Sequence, residues 1–313
     1  MGERKDVAGM NAIEVRNLRK TYGTHTAVDG ISFTVAAGEI YGMLGPNGAG
    51  KTTTVECIEG LRQPDSGDVQ VLGMTHGRQT AAIKARMGVG LQTTGLFPKL
   101  TVREIINLYA TFFPRSLPTS DLIELVGLKE KVNAYSAQLS GGQKQRLAIA
   151  LALVNDPDLV FLDEPTTAMD PAARRSVWDL VLDLKARGKT VVLTTHYMEE
   201  AAHLCDRVAV VDRGRIIAEG RPDDLVRDHF AETAIEFSTP RGVALDRLME
   251  LAGVNRVMEE NGSTTLLSTE VPETVAALLA FAKAQQFRLD RFTVRNATLE
   301  DLFLRLTGRR IRE

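Results

Sequence analysis

The segment Gly45–Thr52 constrains the fold of this chain more than any other feature of its sequence. It reads GPNGAGKT and fits the pattern G-x-x-x-x-G-K-[ST] in full. An apolar, strand-like run, Ile40–Leu44, precedes it, and a segment of helical character, Thr52–Leu61, follows it. Glycines in such a loop let the backbone curl until its N–H groups point inward at phosphate oxygens. The pattern therefore predicts a nucleoside triphosphate site between a strand and a helix of an α/β core.

The same loop carries side chains suited to the phosphates of ATP. Lys51 is expected to neutralise charge on the β- and γ-phosphates, and the Thr52 hydroxyl is placed to bind Mg²⁺. The predicted nucleotide contacts of this segment are Gly45, Pro46, Asn47, Gly48, Ala49, Gly50, Lys51, Thr52 and Thr53.

Two acidic residues, Asp163 and Glu164, follow the apolar run Leu159–Leu162. That run is apolar at every position, as a central parallel strand covered on both faces should be. Two carboxylates at the end of such a strand are poor structural choices without a cation. We therefore interpret Asp163 as a partner of Mg²⁺ and Glu164 as the group that polarises the water attacking the γ-phosphate.

A second glycine turn, Leu139–Gln143, reads LSGGQ and opens a helix. The N–H groups and the dipole at a helix start attract phosphate. One chain has no evident use for two phosphate cradles so far apart in sequence. Two chains facing each other do, because each can close the other's site, and this predicts a homodimer in the ATP-bound state. The predicted contacts to the partner's nucleotide are Ser140, Gly141, Gly142 and Gln143.

The composition excludes several classes of protein. A formal net charge of −2 and an aromatic content of 5% give no case for nucleic acid as a partner. No apolar run approaches the roughly 20 residues that span a bilayer. Met1–Ala12 carries charges and no apolar segment, so it predicts neither a signal peptide nor an anchor. Cys57 and Cys205 lack the spacing of metal ligands and are interpreted as reduced core thiols of a cytosolic protein.

The order of predicted elements indicates two domains, as does the length of 313 residues. Strands alternate with helices through residues 12–226, and a block of helices is inserted at about 93–153. After about Val226 the pattern restarts as βαββαβ, with Phe287–Val294 as its last strand and a trailing helix. We therefore predict an α/β core domain and a small C-terminal α+β domain, ferredoxin-like in topology, at 227–313.

The three motifs resemble, in their order, those of the nucleotide-binding subunit of an ATP-binding-cassette (ABC) transporter. The resemblance covers roughly residues 12–225 and implies a P-loop NTPase core of the ABC ATPase type. It implies that Leu139–Gln143 is the signature motif, which pins ATP bound to the opposite subunit. It also implies four single-residue roles: Tyr22 stacks on adenine, Gln92 links Mg²⁺ to the helical block, Asp170 contacts the partner subunit, and His196 reaches the γ-phosphate and holds the water of Glu164.

These roles give Lys51, Glu164 and His196 as the expected catalytic residues, and Thr52, Gln92 and Asp163 as the expected metal site. The other histidines do not match any position of the family's motifs, and we interpret them as surface or packing residues: His25, His76, His203 and His229.

One loop departs from the family pattern. Pro165–Asp170 reads PTTAMD, where the family more often has Gly-Leu before the aspartate. The tail, Asn296–Gly308, is similar to that of bacterial drug- and antibiotic-resistance ABC ATPases of the daunorubicin-resistance type. Those ATPases work with separate integral membrane permeases of the ABC-2 export class. The resemblance implies export of a drug, antibiotic or lipid-like compound by a protein peripheral on the cytoplasmic face of the cell membrane.

Other proteins carry the same ATPase head. Those that act on DNA place long coiled coils between the phosphate loop and the signature, and here that interval is short and has no sustained heptads. Translation-associated relatives carry two cassettes in one chain, whereas this chain has one. A cytosolic ABC ATPase that serves as an assembly scaffold, as in iron–sulfur biogenesis, stays open as the alternative to a transporter.

Overall fold

The computed structural model of the protein describes residues 10–90, 95–238, 245–260 and 262–308. Contacts among these residues divide the chain into two compact units, one ending at Pro222 and the other beginning at Asp223. No helix among the described residues has the length and apolarity to cross a bilayer.

The first unit contains two β-sheets. An antiparallel sheet has the order β2-β1-β4-β5, and a six-stranded sheet has the order β10-β9-β3-β8-β7-β6. The strands are β1 (Asn11–Tyr22), β2 (His25–Ala36), β3 (Ile40–Leu44), β4 (Ser66–Val71), β5 (Met74–Thr75), β6 (Met87–Gly90), β7 (Leu159–Asp163), β8 (Thr190–Thr195), β9 (Arg207–Asp212) and β10 (Arg215–Gly220).

Helices cover the sheets and form the inserted block. They are α1 (Lys51–Ile58), α2 (Thr80–Ala85), α3 (Val102–Ala110), α4 (Thr119–Leu125), α5 (Gly141–Ala152), α6 (Pro171–Ala186) and α7 (Met198–Leu204). The next helix, α8 (Pro222–His229), belongs to the second unit from Asp223 onward. The inserted block is α3, α4 and α5, which pack on one another. Hydroxyl residues are the N-caps of two of these helices. Thr101 caps α3 and Ser140 caps α5, each within a capping box.

Parallel pairing in the six-stranded sheet explains the apolar runs of the sequence. β9, β3, β8, β7 and β6 pair in parallel, and only β10 joins antiparallel. All five residues of β3 are buried, as are the first four of β7. The prediction of a central strand at Leu159–Leu162 is confirmed.

The main apolar core of the first unit joins its two sheets. The rings of Phe33 in β2 and Tyr41 in β3 stack with their centres 5.1 Å apart. Val55 and Ile58 of α1 belong to the same buried cluster. The phosphate loop and the helix after it therefore rest on this buried core.

The second unit has the predicted βαββαβ order followed by a helix. Its elements are β11 (Thr233–Ser238), α9 (Leu245–Met249), β12 (Val254–Glu260), β13 (Ser263–Ser268), α10 (Val271–Ala284), β14 (Thr293–Arg295) and α11 (Leu299–Thr307). The antiparallel sheet order is β12-β13-β11-β14, which places the first and third strands in the centre as in a ferredoxin-like domain. Ile235, Phe237, Leu248, Leu266 and Leu278 form its core.

The predicted strand Phe287–Val294 is largely wrong, because only Thr293–Arg295 pairs with the sheet. The backbone at Gln286 and Arg291 has φ of +57° and +54°, in the left-handed region. An extended strand cannot run through such residues.

Candidate functional site

Three neighbouring strands bring the main sequence motifs to one edge of the six-stranded sheet. β3 ends at Leu44, directly before the phosphate loop; β7 ends at Asp163; and β8 ends at Thr195, directly before His196. The order β3-β8-β7 makes these three carboxyl ends adjacent. Ligands of open α/β sheets bind at that edge.

The glycines of the phosphate loop are required by close backbone contacts. A Cβ on Gly45 would lie 2.2 Å from the carbonyl oxygen of Val211, and one on Gly50 would lie 2.2 Å from that of Ala27. Gly50 also has φ of +104°, and Gly48 has φ of +79°, which L-residues with a side chain rarely adopt. Gly45 therefore serves packing, Gly48 serves the turn, and Gly50 serves both.

Gly214 supports the loop from the β9–β10 hairpin, a role that the sequence did not reveal. Its N–H donates to the carbonyl of Ala49 at 2.8 Å, and its carbonyl accepts from the N–H of Asp29, also at 2.8 Å. The pair Arg213-Gly214 indicates at most a turn in the sequence, and a turn carries no functional information by itself.

Lys51 is held inside its own loop. Its ammonium donates to the carbonyls of Gly45 at 2.6 Å and Pro46 at 3.1 Å, and its Nζ lies 3.9 Å from Oε1 of Glu164. Burial lowers the pKa of Lys51, and the carboxylates of Glu164 and Asp163 oppose that shift. The loop thus keeps a positive charge at the place where phosphate charge is expected.

Asp163 and Thr52 bring two oxygen ligands together. Thr52 Oγ1 donates to Asp163 Oδ1 at 3.4 Å, and the Thr194 hydroxyl donates to the same carboxylate oxygen. Mg²⁺ in proteins is bound through one or two carboxylates plus substrate phosphates, so this donor set fits the ion. No group of three or more His, Cys, Asp or Glu among residues 10–90, 95–238, 245–260 and 262–308 is arranged as a metal site of its own.

Thr194 is a second residue that sequence reasoning missed. Besides orienting Asp163, its hydroxyl accepts the backbone N–H of Glu164 at 3.1 Å. It therefore fixes both acidic residues at the end of β7. A hydroxyl residue two positions before His196 was visible in the sequence, but its role depends on strand pairing with Asp163.

Glu164 lies between the groups expected to act with it. Its side chain is only 10% exposed, and its Oε2 accepts from the hydroxyl of Thr167 at 3.0 Å. Oε1 lies 3.3 Å from Nδ1 of His196. The backbone of Glu164 has φ of +46°, an uncommon conformation that costs free energy and tends to occur at functional sites.

A cavity of about 370 Å³ opens above the phosphate loop. It is lined by Tyr22, His25, Ala27, Asn47, Gly48, Gly50, Lys51, Thr52, Thr53 and Glu164. Tyr22 is 40% exposed, and the guanidinium of Arg62 lies 5.2 Å from its ring centre. An exposed aromatic ring at the mouth of a phosphate cavity suits a base that stacks on it. His25 lines this cavity too, although its sequence context indicated only a surface or packing residue.

The signature segment forms a helix start but does not line this cavity. Ser140 caps α5: its Oγ accepts from the N–H of Gln143 at 3.3 Å, and its N–H donates to Gln143 Oε1 at 3.0 Å. The N–H groups of Gly141 and Gly142 belong to the first turn, where no carbonyl of the helix can accept from them. They are available to a ligand from outside the chain.

Asp170 caps α6, and Gly142 packs against the first turn of the same helix. The Asp170 carboxylate caps α6 by accepting from the N–H groups of Ala172 at 3.0 Å and Ala173 at 2.9 Å. A Cβ on Gly142 would lie 2.9 Å from Cβ of Ala173, so the two helix starts pack closely. Asp170 is exposed and stands apart from the phosphate loop's cavity.

The remaining residues from the sequence analysis are one glutamine, three histidines and the two cysteines. Gln92 lies outside the described residues. His76, His203 and His229 make packing contacts with the Ile58 carbonyl, the Trp178 ring and the Leu225 carbonyl, respectively. Cys57 and Cys205 are free and buried, and burial raises the pKa of the Cys57 thiol to about 11. The structure thus brings together Tyr22, the phosphate loop, Asp163, Glu164 and His196, and leaves Ser140–Gln143 and Asp170 outside that cluster.

Comparison with known sequences identifies close relatives over nearly the whole chain. The family model described as "ABC transporter" matches residues 28–167. The Nod factor export ATP-binding protein I of Paraburkholderia xenovorans is 43% identical over 307 residues, which cover 96% of this chain and 99% of the relative. The protein of the same name from Rhizobium meliloti is 42% identical over 309 residues, covering 96% and 90%.

Solved structures resemble about two thirds of the chain. The structure of cbiO1 from Clostridium perfringens, part of the ABC transporter complex cbiONQ, superposes with a TM-score of 0.64 at 27% identity, covering 70% of this chain and 92% of that one. A dimeric ATP-binding cassette in a post-hydrolysis state, bound to ADP and Pi, gives a TM-score of 0.60 at 28% identity, covering 67% and 98%.

Proposed function

Because this chain belongs to the ABC transporter family of ATP-binding subunits, we propose that two copies of it close around two ATP molecules, each copy capping the nucleotide bound by the other. The phosphates of ATP lie on the loop at 45–53, and the adenine stacks on Tyr22. The γ-phosphate then meets the first turn of α5, at Ser140–Gln143, from the partner copy. The exposed N–H groups of that turn, and its position outside the cavity of its own chain, support this arrangement.

One observation carries the proposed mechanism: Lys51, Glu164 and His196 converge at the end of three strands. The Glu164 carboxylate accepts a proton from the attacking water, and Nδ1 of His196 holds that water or the γ-phosphate in place. Lys51 exchanges its bonds to the loop carbonyls for bonds to phosphate oxygens. Thr52 and Asp163, with Gln92 by family resemblance, would hold Mg²⁺, which when bound neutralises charge on the β- and γ-phosphates.

The chain is the ATPase subunit of an ABC exporter. Its closing and reopening drive separate integral membrane permeases, which we assign to the ABC-2 type, so that the protein acts at the cytoplasmic face of the membrane. The cargo is a drug, antibiotic or lipid-like compound. The resemblance of the C-terminal tail supports this assignment, and so do the relatives, which are named for export of Nod factors.

The second unit is proposed to be an accessory domain, 227–313, that regulates closure of the dimer. No cluster of catalytic residue types is evident in its sequence. Truncation after Val226 should therefore leave ATP binding intact and change the cooperativity of ATP hydrolysis.

The Glu164→Gln substitution tests the mechanism directly. It should lower kcat by at least about 10²-fold, the usual size of a general-base contribution, and trap an ATP-bound dimer that gel filtration resolves from the monomer. The matched control is Glu199→Gln, which removes an exposed carboxylate in α7 and should hydrolyse ATP at the wild-type rate. A Glu164→Gln protein with wild-type turnover would refute the assignment.

Co-purification tests the transport role. The full chain, tagged and expressed in its own host, should bring down a multi-span membrane protein in detergent. Recovery of a soluble complex in its place would favour the scaffold alternative and overturn the exporter assignment.

A further inference from the structure

Glu200 is a fully buried carboxylate that joins three segments of the first unit. It is 0% exposed in α7, and its Oε1 accepts two hydrogen bonds. The Thr166 hydroxyl donates to it at 2.7 Å, and the indole N–H of Trp178 in α6 donates at 3.0 Å. A single oxygen thus connects the loop after β7, the helix α6 and the helix α7.

Two of these segments carry residues of the proposed hydrolytic site. Thr166 lies two positions after Glu164, and its neighbour Thr167 donates to Glu164 Oε2 at 3.0 Å. Glu200 lies four positions after His196, one helical turn along the chain. The Thr166–Glu200 hydrogen bond therefore ties the loop that follows Glu164 to the helix that follows His196.

A second contact joins α6 to the start of α7. The guanidinium of Arg174 lies 4.4 Å from the ring centre of Tyr197, the residue next to His196. Arg174 precedes Trp178 by one turn of α6, just as Tyr197 precedes Glu200 by nearly one turn of α7. The same helix starts at the Asp170 cap and packs its Ala173 against Gly142 of the signature motif.

The cost of this arrangement indicates a function other than simple stability. Burying a carboxylate is expensive, and Oε2 of Glu200 is buried without a hydrogen-bond partner among the described residues. A buried apolar residue of similar volume is often neutral or more stabilising than a buried charged group. Meanwhile Glu164 and Ala168, at the two ends of the loop, have φ of +46° and +59°. Such conformations persist only where surrounding contacts over-determine them.

We propose that Glu200 is a positioning residue for ATP hydrolysis. Through Thr166 it fixes the loop that orients Glu164, and through α7 it fixes His196, so that both groups face the same water. Through Trp178 it ties this pair to α6, whose first turn contacts the signature helix. The inference rests on the proposed roles of Glu164 and His196, and it adds a residue that never touches the nucleotide.

Thr166→Val is the central test, because valine matches threonine in shape and removes only the hydroxyl donor. Small displacements of catalytic groups cost about 10²-fold, so kcat per folded molecule should fall between about tenfold and a hundredfold. The Kd for ATP, measured with a fluorescent ATP analogue, should stay within about twofold, since Thr166 does not line the cavity. Glu200→Ala should show the same loss, and Glu200→Gln should recover part of it because its amide oxygen still accepts both hydrogen bonds.

Val181→Ala is the stability control. Val181 is a buried residue of α6, so its truncation lowers the melting temperature without removing a hydrogen bond to Glu200. Its kcat per folded molecule should equal that of the wild type. If Thr166→Val lowers only the melting temperature and turns over ATP like Val181→Ala, Glu200 is merely structural and the inference fails.

Glu164→Gln, measured in parallel, separates the two hypotheses. An inactive Glu164→Gln protein together with a fully active Thr166→Val protein overturns only the role of Glu200. An active Glu164→Gln protein overturns the proposed function itself. Non-additive losses in Thr166→Val combined with Glu200→Ala would support the inference, because both variants remove the same contact.

Discussion

Nδ1 of His196 lies 3.3 Å from Oε1 of Glu164, but the two atoms do not form a hydrogen bond of normal geometry. Both side chains are about nine-tenths buried, so neither is simply solvated by bulk water. A donor and an acceptor that are close but misaligned can both form hydrogen bonds to a third group. Catalytic hydrogen bonds often align only when substrate is bound. This geometry is consistent with the proposal that both groups bind the same water molecule.

His196→Ala should remove the contact of the imidazole with the proposed water and leave the nucleotide bound. We expect kcat to fall by about 10²-fold or more, with a Kd for ATP close to that of the wild type. The kcat of the double variant with Glu164→Gln should be no lower than that of the less active single variant, because the two groups act as one unit. Steady-state ATPase assays and nucleotide titrations measure both quantities. His229→Ala, in the second unit, is the control and should leave kcat unchanged; normal turnover by His196→Ala would exclude a role in hydrolysis.

Ser140 offers a test of the composite site that separates folding from function. Asp and Asn are as good as Ser at a helix N-cap, so Ser140→Asp and Ser140→Asn should both keep the free energy of unfolding within about 0.5 kcal/mol. They differ only in charge. The aspartate would face the γ-phosphate of the partner's ATP and repel it, whereas the asparagine would not.

In the Glu164→Gln background, ATP should therefore dimerise the Ser140→Asn protein but not the Ser140→Asp protein. Analytical ultracentrifugation with and without ATP measures this difference. Equal dimerisation of both proteins would contradict the proposal that Ser140 lies against the partner's phosphate.

Glu59 predicts how the stability of the protein depends on pH. Burial, together with the nearby negative charges of Asp163 and Glu56, raises the pKa of Glu59 from 4.5 to about 8. The Glu59 carboxyl group therefore keeps its proton to a higher pH in the folded state than in the unfolded state. Its contribution to stability is fully present below about pH 4.5 and is lost as the pH rises towards 8.

Glu59→Gln mimics the protonated form and should remove that loss. Urea unfolding without nucleotide, between pH 5 and 9, should give a flatter profile than the wild type and a higher free energy of unfolding at the alkaline end. Glu124→Gln, which changes an exposed carboxylate paired with Lys129, should leave the wild-type profile in place. A wild-type slope in Glu59→Gln would show that Glu59 does not carry the effect.

The parts of the site that the sequence predicted are those in which adjacent residues perform the chemistry. The phosphate loop, Asp163-Glu164 and the helix start at Leu139–Gln143 each lie within a few residues, so their pattern is visible without a fold. Thr194 and Gly214 act on residues distant in the chain, through strand pairing and a backbone contact. Nothing in their local sequence distinguishes them from other strand and turn residues.

The predicted fold has the same limit. Buried parallel strands such as β7 were recognised because the run Leu159–Leu162 is apolar at every position. The segment 287–292 was misread because its alternating pattern resembles an edge strand. Its left-handed residue Arg291 leaves no such signal in the sequence, since the side chain is compatible with many conformations.

Ala168 is a non-glycine residue in the left-handed region, with φ of +59°, at the position where the family more often has Gly two residues before Asp170. The left-handed conformation costs a residue with a Cβ about 1–2 kcal/mol, and glycine loses about 0.5–1 kcal/mol more chain entropy on folding. Ala168→Gly should therefore raise the free energy of unfolding by about 0.5–1 kcal/mol, measured by urea denaturation. The reverse change at Gly188, which has φ of +77° and open space around a Cβ, isolates the same backbone cost. Gly188→Ala should lose about as much stability as Ala168→Gly gains; destabilisation by Ala168→Gly would mean that the methyl group's packing outweighs the strain.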